Sequence, residues 1–221
     1  MVRVWMPDRP GALGQVAGRI GAVGGDVVGI DILERGGGRA IDELVVQLPD
    51  SGLVGLLVSE IAAVDGADVE DVRPAAQALR DPRLDALETA AMLVGAANVD
   101  ELLAMLVEHA IIDFAADWAA VVDLDEPVTV AAEGDAPPVA WLAAFVEGSR
   151  SSARVVAGET GPDDVAWAPL PSAAVNLVVG RRGRPLRARE RRQAAALARI
   201  ADTRWVEVSG RVSRDRRASH R

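Results

Sequence analysis

The chain has 221 residues, half of them apolar, and a formal net charge of −9, and it contains neither cysteine nor lysine. The lack of cysteine excludes disulfides, thiolate metal sites and a thiol nucleophile. The lack of lysine excludes a Walker-type phosphate lysine, a kinase strand lysine and a Schiff-base amine. No apolar run approaches the roughly 18–20 residues that span a bilayer, and no signal-peptide pattern opens the chain. We therefore expect a cytoplasmic protein.

The charge is unevenly distributed along the chain. Residues 181–221 carry 14 arginines and four acidic residues, whereas residues 1–180 carry 10 arginines and 29 acidic residues. The acidic first part argues against general affinity for nucleic acid, because phosphate repels it. For the basic segment a solvated helix face is favoured, and contact with a partner protein or with nucleic acid stays open.

Hydrophobic periodicity predicts six elements in the first third of the chain. They are a strand over 2–6, a helix over 12–23, a strand over 26–35, a strand after the Gly36–Gly38 turn, a helix over 50–65 and a strand over 67–73. In the third strand, Asp42 is a polar exception on the inward face. The order strand-helix-strand-strand-helix-strand is the split βαβ arrangement of the ferredoxin-like fold.

Residues 75–83 are predicted to form a linker, and a second series of helices and strands is predicted after it. The pattern predicts helices over 84–96 and 100–116, strands over 118–124 and 128–132, a helix ending near 149, strands over 165–169 and 173–179, and a basic helix over 186–204. Residues 150–164 are expected to form a polar loop, and residues 206–221 a basic tail. The chain therefore divides into domains at 1–74 and 84–205.

The first domain resembles an ACT domain, a small-molecule-sensing module. The resemblance rests on Asp8-Arg9-Pro10-Gly11 between the first strand and helix, and on Gly24-Gly25-Asp26-Val27 before the second strand. It implies a ligand, often an amino acid, bound where the first loop and helix meet the second strand, usually between two ACT domains. The residues implied to touch the ligand are Asp8, Arg9, Pro10, Gly11, Ala12, Leu13, Asp26 and Val27.

The chemistry of these positions suits a zwitterion. The first N–H groups of a helix have no intrahelical partners, so they favour an α-carboxylate by about 0.3–1 kcal/mol. Gly11 has no Cβ and allows close approach to the backbone, while Asp8 and Asp26 could take the α-ammonium. The competing interpretation is that Asp8 caps the helix within an ordinary turn.

The second domain is similar to a GAF domain, most clearly in its ending AAVNLVVGRRGRPLRARERRQAAALARIADTRW. The resemblance covers about 84–205 and implies a ligand over one face of the sheet, beneath residues 136–164. Trp118, Trp141 and Trp167 fall in or near that region, where aromatic residues are more often core packing than ligand platforms. No ligand residue is assigned there.

The remaining chemistry-bearing residues favour structural roles. Asp123, Asp125 and Glu126 could hold Mg²⁺ or Ca²⁺ through oxygen, but a solvated turn is favoured, as it is for Asp163-Asp164. His109 lies on a predicted helix face and His220 in the tail. We expect no catalytic residue, no metal site and no cofactor.

These observations predict an α+β protein with an ACT-like and a GAF-like domain. The favoured function is a non-catalytic regulator that binds an amino acid or similar molecule and relays occupancy through a change in homodimer arrangement. One alternative is an interaction protein without ligand sites that acts through the basic helix. Another is a carboxylate- or metal-dependent hydrolase built on the second half. An unidentified protein partner stays open, and we expect no nucleic acid or membrane partner.

Overall fold

The computed structural model describes residues 1–75, 82–152 and 164–218. The chain forms two compact units, Met1–Arg80 and Asp81–Arg221. Both units combine helices with a four-stranded antiparallel sheet, which confirms the predicted α+β class. Within the described residues, no helix combines the length and apolar content needed to cross a membrane.

The first unit contains the elements that the periodicity predicts, in the same order. They are β1 (Val2–Pro7), α1 (Ala12–Ala22), β2 (Asp26–Gly36), β3 (Arg39–Gln47), a 3-10 turn (Ser51–Leu53), α2 (Val54–Ala62) and β4 (Asp68–Val72). The sheet order is β2-β3-β1-β4, so that β2 and β4 are the edge strands. Strand β2 pairs with β3 through two register shifts, between Val27 and Gly29 and between Ile32 and Glu34.

Both helices of this unit pack on one face of the sheet. Alternate residues of β1 (Val2, Val4 and Met6) are buried in one cluster with Val16 and Ile20 of α1 and with Leu57 and Ile61 of α2. Burying a Val, Leu or Ile side chain stabilises by about 1.5–3 kcal/mol, so the apolar stripes on the two helices fix them to this face.

The opposite face of the same sheet carries charged side chains. Arg3, on the other side of β1, is only 3% exposed, and its guanidinium lies 3.1 Å from the Glu43 carboxylate. The guanidinium of Arg73 lies 3.0 Å from the same carboxylate, and the Trp5 indole N–H donates to Glu70 at 3.1 Å. Opposite charges on neighbouring strands thus contribute to the stability of this face.

The second unit is built from four helices and four strands within the described residues. They are α3 (Pro82–Gly95), α4 (Val99–Phe114), β5 (Trp118–Asp123), β6 (Val128–Gly134), α5 (Val139–Arg150), β7 (Val165–Leu170), β8 (Val175–Gly180) and α6 (Ala188–Ala218). The sheet order is β6-β5-β8-β7. The predicted linker and polar loop fall mainly on residues 76–81 and 153–163, which lie outside the described ranges.

Each face of this sheet has its own apolar core. On one face, Ala119, Val121 and Leu177 pack with α3, α4 and α6. On the other, Trp118, Val122 and Val178 pack with Leu142 and Val146 of α5. Because both faces are covered, strands β5 and β8 are almost continuously apolar.

Two predicted helices differ from the observed ones. The segment 50–65 begins as a 3-10 turn, because the Asp50 side chain accepts a hydrogen bond from the N–H of Gly52 at 2.8 Å. Helix α6 extends to Ala218, past the predicted end at 204. Val208 is 1% exposed, so packing stabilises the helix beyond the region where periodicity is clear.

A buried guanidinium joins three parts of the second unit. Arg181, at the end of β8, is 2% exposed. Its guanidinium donates to the carbonyl of Phe114 at 2.6 Å, to that of Pro185 at 2.6 Å, and to the Glu190 carboxylate at 2.8 Å. The end of α4, the turn after β8 and the start of α6 are therefore tied to one side chain.

We predict that Arg181→Leu destabilises the second unit by about 3–5 kcal/mol, because it removes the buried cation beside the Glu190 carboxylate and the donor of three carbonyls, those of Phe114, Arg184 and Pro185. Urea denaturation of the full chain, followed by the fluorescence of the tryptophans, measures this loss. Arg199→Leu, at an exposed position of α6, is the control and should change stability by less than about 0.5 kcal/mol. Equal effects of the two changes would contradict the assigned role of Arg181.

Candidate functional site

The loop between β1 and α1 ends in a helix start without a side-chain cap. The N-cap residue is Gly11, whose φ of 85° lies in the left-handed region, and no side chain hydrogen-bonds to the first turn. Glycine adopts this conformation without strain. The interpretation of Asp8 as the helix cap is therefore wrong, because the chain enters the helix through Gly11 and the Asp8 carboxylate lies elsewhere.

Asp8 lies beside the turn that joins β2 to β3. Its N–H donates to the carbonyl of Gly38 at 2.9 Å, and its carboxylate oxygen Oδ1 lies 3.9 Å from Nε of Arg35. The Asp8 and Arg35 side chains are 39% and 59% exposed, so this ion pair contributes little to stability. Both charges are accessible to a bound molecule.

Behind this pair lies a buried carboxylate, Asp42 of β3. Its neighbours on the helix-facing side of the strand, Ala40 and Leu44, belong to the apolar core, and Asp42 itself is 4% exposed. Its Oδ1 atom has no hydrogen-bond partner. Burial raises the pKa of Asp42, the nearby Arg35 lowers it, and Asp8 raises it.

The sequence shows Asp42 only as a polar exception, and its companions follow from the strand pairing. Asp42 lies opposite Ile32 in β2, and Arg35 lies opposite Ala40 after the second register shift. This pairing brings Asp42, Arg35 and Asp8 to one end of the sheet, beside the start of α1. Asp42 and Arg35 are the site residues that the sequence analysis missed.

Asp26 is distant from this cluster within one chain. It pairs with Gln47 at the start of β2, whereas Arg35 pairs with Ala40 at the other end. Nine residues of extended strand span about 25–30 Å. The structure therefore does not bring Asp8 and Asp26 together in a single chain, and the expectation that both take one ammonium group stays a prediction.

The other predicted ligand residues fall into two groups. Arg9, Pro10 and Gly11 are exposed, and the Arg9 guanidinium donates to Gln15 Oε1 at 3.2 Å. The remaining three belong to the apolar core or pack against it, and they are Ala12, Leu13 and Val27. Their side chains hold the loop and β2 in place.

Strand β2 exposes a row of apolar side chains along the edge of the sheet. Val28, Ile30 and Ile32 are 37%, 49% and 39% exposed. A long apolar edge strand offers unpaired backbone groups to another strand and is normally protected by charge or by a covering element. This edge connects the position of Asp26 to that of Arg35.

In the second unit, Trp118 of β5 and Trp167 of β7 lie on the sheet face beneath α5, and Trp141 belongs to α5 itself. Trp118 is 6% exposed and contacts Trp141 edge-to-face at 6.4 Å between ring centroids. Trp141, 46% exposed, stacks on Phe145 at 5.5 Å. Trp118 and the partly buried Trp167 belong to the apolar cluster of this face, as the packing interpretation predicts.

The carboxylates around Asp123 organise a turn. Asp123 Oδ1 accepts hydrogen bonds from the N–H groups of Asp125 at 2.9 Å and Glu126 at 3.2 Å. Among the described residues, no group of three or more potential ligand side chains is arranged to hold a metal ion. Asp163 and His220 lie outside the described residues. His109 lies on α4, with Nδ1 at 3.4 Å from the Thr89 hydroxyl.

Much of the positive charge near the C-terminus is used within the second unit. Besides Arg181, the guanidinium of Arg204 donates to the carbonyl of Ala96 at 2.6 Å, that of Arg184 to Ala115 at 2.7 Å, and that of Arg191 to Val165 at 3.0 Å. The basic segment is therefore only partly the solvated helix face that its composition suggests.

No family model and no curated protein matches the chain. Among solved structures, the wild-type phytochrome photosensory core module of Stigmatella aurantiaca is similar with a TM-score of 0.43 and 12% sequence identity. The match covers 84% of this chain and 43% of that one, so the chain spans less than half of that module.

We predict that Asp42→Asn stabilises the first unit increasingly as the pH rises. Burial raises the pKa of Asp42 above the ordinary value of an aspartate, so the folded state favours the protonated form. Ionisation of this carboxyl lowers the free energy of unfolding. The loss is absent below the unfolded-state pKa and complete above the folded-state pKa. The stability gain of the variant should therefore be smallest below the unfolded-state pKa of the carboxyl and should grow as the pH rises through the raised folded-state pKa.

Thermal unfolding across this pH range measures the difference between the variant and the wild type. Asp65→Asn is the matched control, because Asp65 is exposed in the same unit and its replacement should change stability little at any pH. A constant difference between Asp42→Asn and the wild type at every pH would contradict the prediction.

Proposed function

We propose that this chain is a non-catalytic regulatory protein whose first unit is an ACT-like module of ferredoxin-like topology and whose second unit is GAF-like. In this proposal the first unit binds an amino acid or similar small zwitterion. Occupancy is relayed by a change in the arrangement of a homodimer. The sheet order β2-β3-β1-β4 with both helices on one face is compatible with the first assignment.

The observation that carries the proposal is the buried Asp42 carboxylate. An ionised carboxylate in an apolar core is costly unless a cation or donors accompany it, and Oδ1 of Asp42 has no donor. A ligand ammonium group placed between Asp42 and Asp8 supplies both charge and donors. The α-carboxylate of the same ligand is then favoured by the uncapped start of α1 and by the exposed guanidinium of Arg35.

A second copy of the chain would complete this site. If two β2 strands pair antiparallel along their exposed edges, the start of one strand lies beside the end of the other. The partner's Asp26 then approaches Asp8 and Arg35, although Asp26 and Arg35 lie about 25–30 Å apart along β2 within one chain. The same pairing covers the row formed by Val28, Ile30 and Ile32.

This arrangement also supplies a means of relay. A ligand that contacts both copies binds more tightly to the paired state than to any other arrangement, and it shifts the population by that difference in affinity. The second units, joined to the first by residues 76–81, would respond to the changed pairing. No reaction is required of any side chain in this scheme.

We predict that one or more of the common amino acids raises the melting temperature of the chain and that Asp8→Ala abolishes the rise. At a ligand concentration of 100 times Kd, the expected stabilisation is about 2.7 kcal/mol. Asp42→Asn should weaken binding about tenfold or more, since it removes a charged partner of the ammonium group. Binding to the wild type should weaken as the pH falls through the raised pKa of Asp42.

Asp65→Ala is the control for this screen, and it should retain the full ligand-induced shift. A screen in which no common amino acid changes the melting temperature of the wild type would count against the ACT-like assignment. If the ligand raises the melting temperature of Asp8→Ala and Asp42→Asn as much as that of the wild type, the ligand binds elsewhere in the molecule.

We also predict that mixed dimers restore binding. Asp8→Ala and Asp26→Ala chains should each fail to bind the amino acid alone. An equal mixture should regain about a quarter of the sites, because random pairing makes about half of the dimers mixed and only one of the two sites in a mixed dimer joins Asp8 of one variant to Asp26 of the other. Titration calorimetry on the separate and mixed proteins measures the site number. Ile30→Asp should abolish both dimerisation and recovery, and binding by monomeric Ile30→Asp would overturn the shared site.

A further inference from the structure

A groove in the second unit runs between helix α4 and the edge strand β6. It encloses about 420 Å³ and is lined by five residues of α4 and by residues 130–133 of β6. Leu103 and Val107 of α4 line it and are only 2% and 3% exposed, so they form its base. Ala131 packs against the same apolar core from the strand. The groove therefore has an apolar base and lies on the sheet face opposite α5.

The rim of this groove is acidic and open to solvent. Asp100 and Glu108 of α4 and Glu133 of β6 line the groove and are exposed. Within the described ranges none of these three carboxylates makes an ion pair, and no arginine is among the described residues that line the groove. Carboxylates that are close together repel each other, so a cation that enters the groove relieves this repulsion.

Strand β6 adds a free backbone edge to the groove. It pairs with β5 on one side, and no other strand in the described part of the chain pairs with its other side. Val128 and Val130 of this strand are 49% and 45% exposed. Residues 131–134 pair with β5 in continuous register and span about 13 Å. An edge of this kind can form hydrogen bonds with a further strand, and its length matches four or five residues of an extended chain.

We propose that the groove binds a basic segment of a partner protein, which adds to β6 as a further strand. In this mode of recognition the backbone hydrogen bonds supply affinity, and the pockets for alternate side chains supply specificity. Every second side chain of the added strand faces α4. An apolar side chain at the centre contacts Leu103 and Val107. Arginine or lysine two residues before and after it reaches the carboxylates on the rim.

This surface is separate from the other candidate sites of the protein. The proposed amino-acid site lies in the first unit. The ligand that the resemblance to a GAF domain implies would lie beneath residues 136–164, on the opposite face of the second sheet. The groove can therefore bind its partner whether or not either of those sites is occupied, and its variants leave both of them unchanged.

The test uses the full chain and a fluorescein-labelled peptide of seven residues. In this peptide threonine alternates with arginine, valine and arginine, so that the last three share one face of a strand. We expect saturable binding by fluorescence anisotropy at constant ionic strength. A peptide with glutamate in place of arginine should bind at least tenfold more weakly. The proposal is overturned if the arginine peptide does not bind, or if the glutamate peptide binds equally well.

Two methylated peptides test the strand pairing itself. One carries N-methyl groups on the four threonines, and the other carries them on the arginines and the valine. The N–H groups of alternate residues in a strand point to opposite edges, so only one of the two sets pairs with β6. One methylated peptide should therefore lose at least tenfold in affinity relative to the other. Equal affinities of the two peptides would overturn the proposed pairing.

Three variants of the chain locate the binding surface. Ala104→Arg places a bulky cation at an exposed position of the groove and should abolish binding. The double variant Glu108→Gln with Glu133→Gln should weaken binding at least tenfold, because it removes two carboxylates from the rim. Glu88→Gln, at an exposed position of α3 in the same unit, is the matched control and should bind as the wild type does.

Two further measurements accompany these variants. Far-UV circular dichroism reports whether each variant is folded, and sedimentation velocity without peptide reports its oligomeric state. Undiminished binding by folded Ala104→Arg would overturn the proposal. If Ala104→Arg instead changes the oligomeric state of the chain alone, a second copy occupies the groove, and the proposed partner protein is overturned as well.

Discussion

The second unit depends on the ability of arginine to satisfy backbone carbonyls in its interior. In Arg181, one guanidinium reaches the end of α4, the turn after β8 and the start of α6. Arg204 repeats this role at the carbonyl of Ala96, between α3 and α4. The last carbonyls of a helix have no intrahelical partner, and the five donors of a rigid guanidinium can bind several at once. In a chain without lysine, arginine thus serves as a structural connector as well as a surface charge.

Some buried polar atoms of this protein have no hydrogen-bond partner. Most buried polar atoms in folded proteins are hydrogen-bonded, so exceptions require an explanation. Asp42 and Asn176 are such exceptions, each at a sheet face near exposed charged side chains. One presents acceptors beside Asp8, and the other presents donors beside Arg150. The proposed amino-acid site at Asp42 rests on this argument.

The sequence predicts most elements closely because the information is local. The alternation in β1 and the apolar stripe of α1 are set by neighbours within a few residues, and the observed bounds differ little from the predicted ones. The candidate sites are less predictable. Asp42 is visible as a polar residue on an inward face, but its approach to Arg35 depends on two register shifts in β2. The burial of Arg204 likewise depends on a partner more than 100 residues away.

The order of strands in the first sheet has a consequence for how this unit forms. Strand β1 is the first to be synthesised, yet it lies inside the sheet and pairs with β3 and with β4, the last strand. Such distant pairings raise the contact order, and loop-closure entropy opposes them until both strands exist. During translation, β1 therefore has no complete set of partners until residue 72 has left the ribosome. Loss of β4 by proteolysis would likewise turn β1, an interior strand, into an edge strand with unpaired backbone groups.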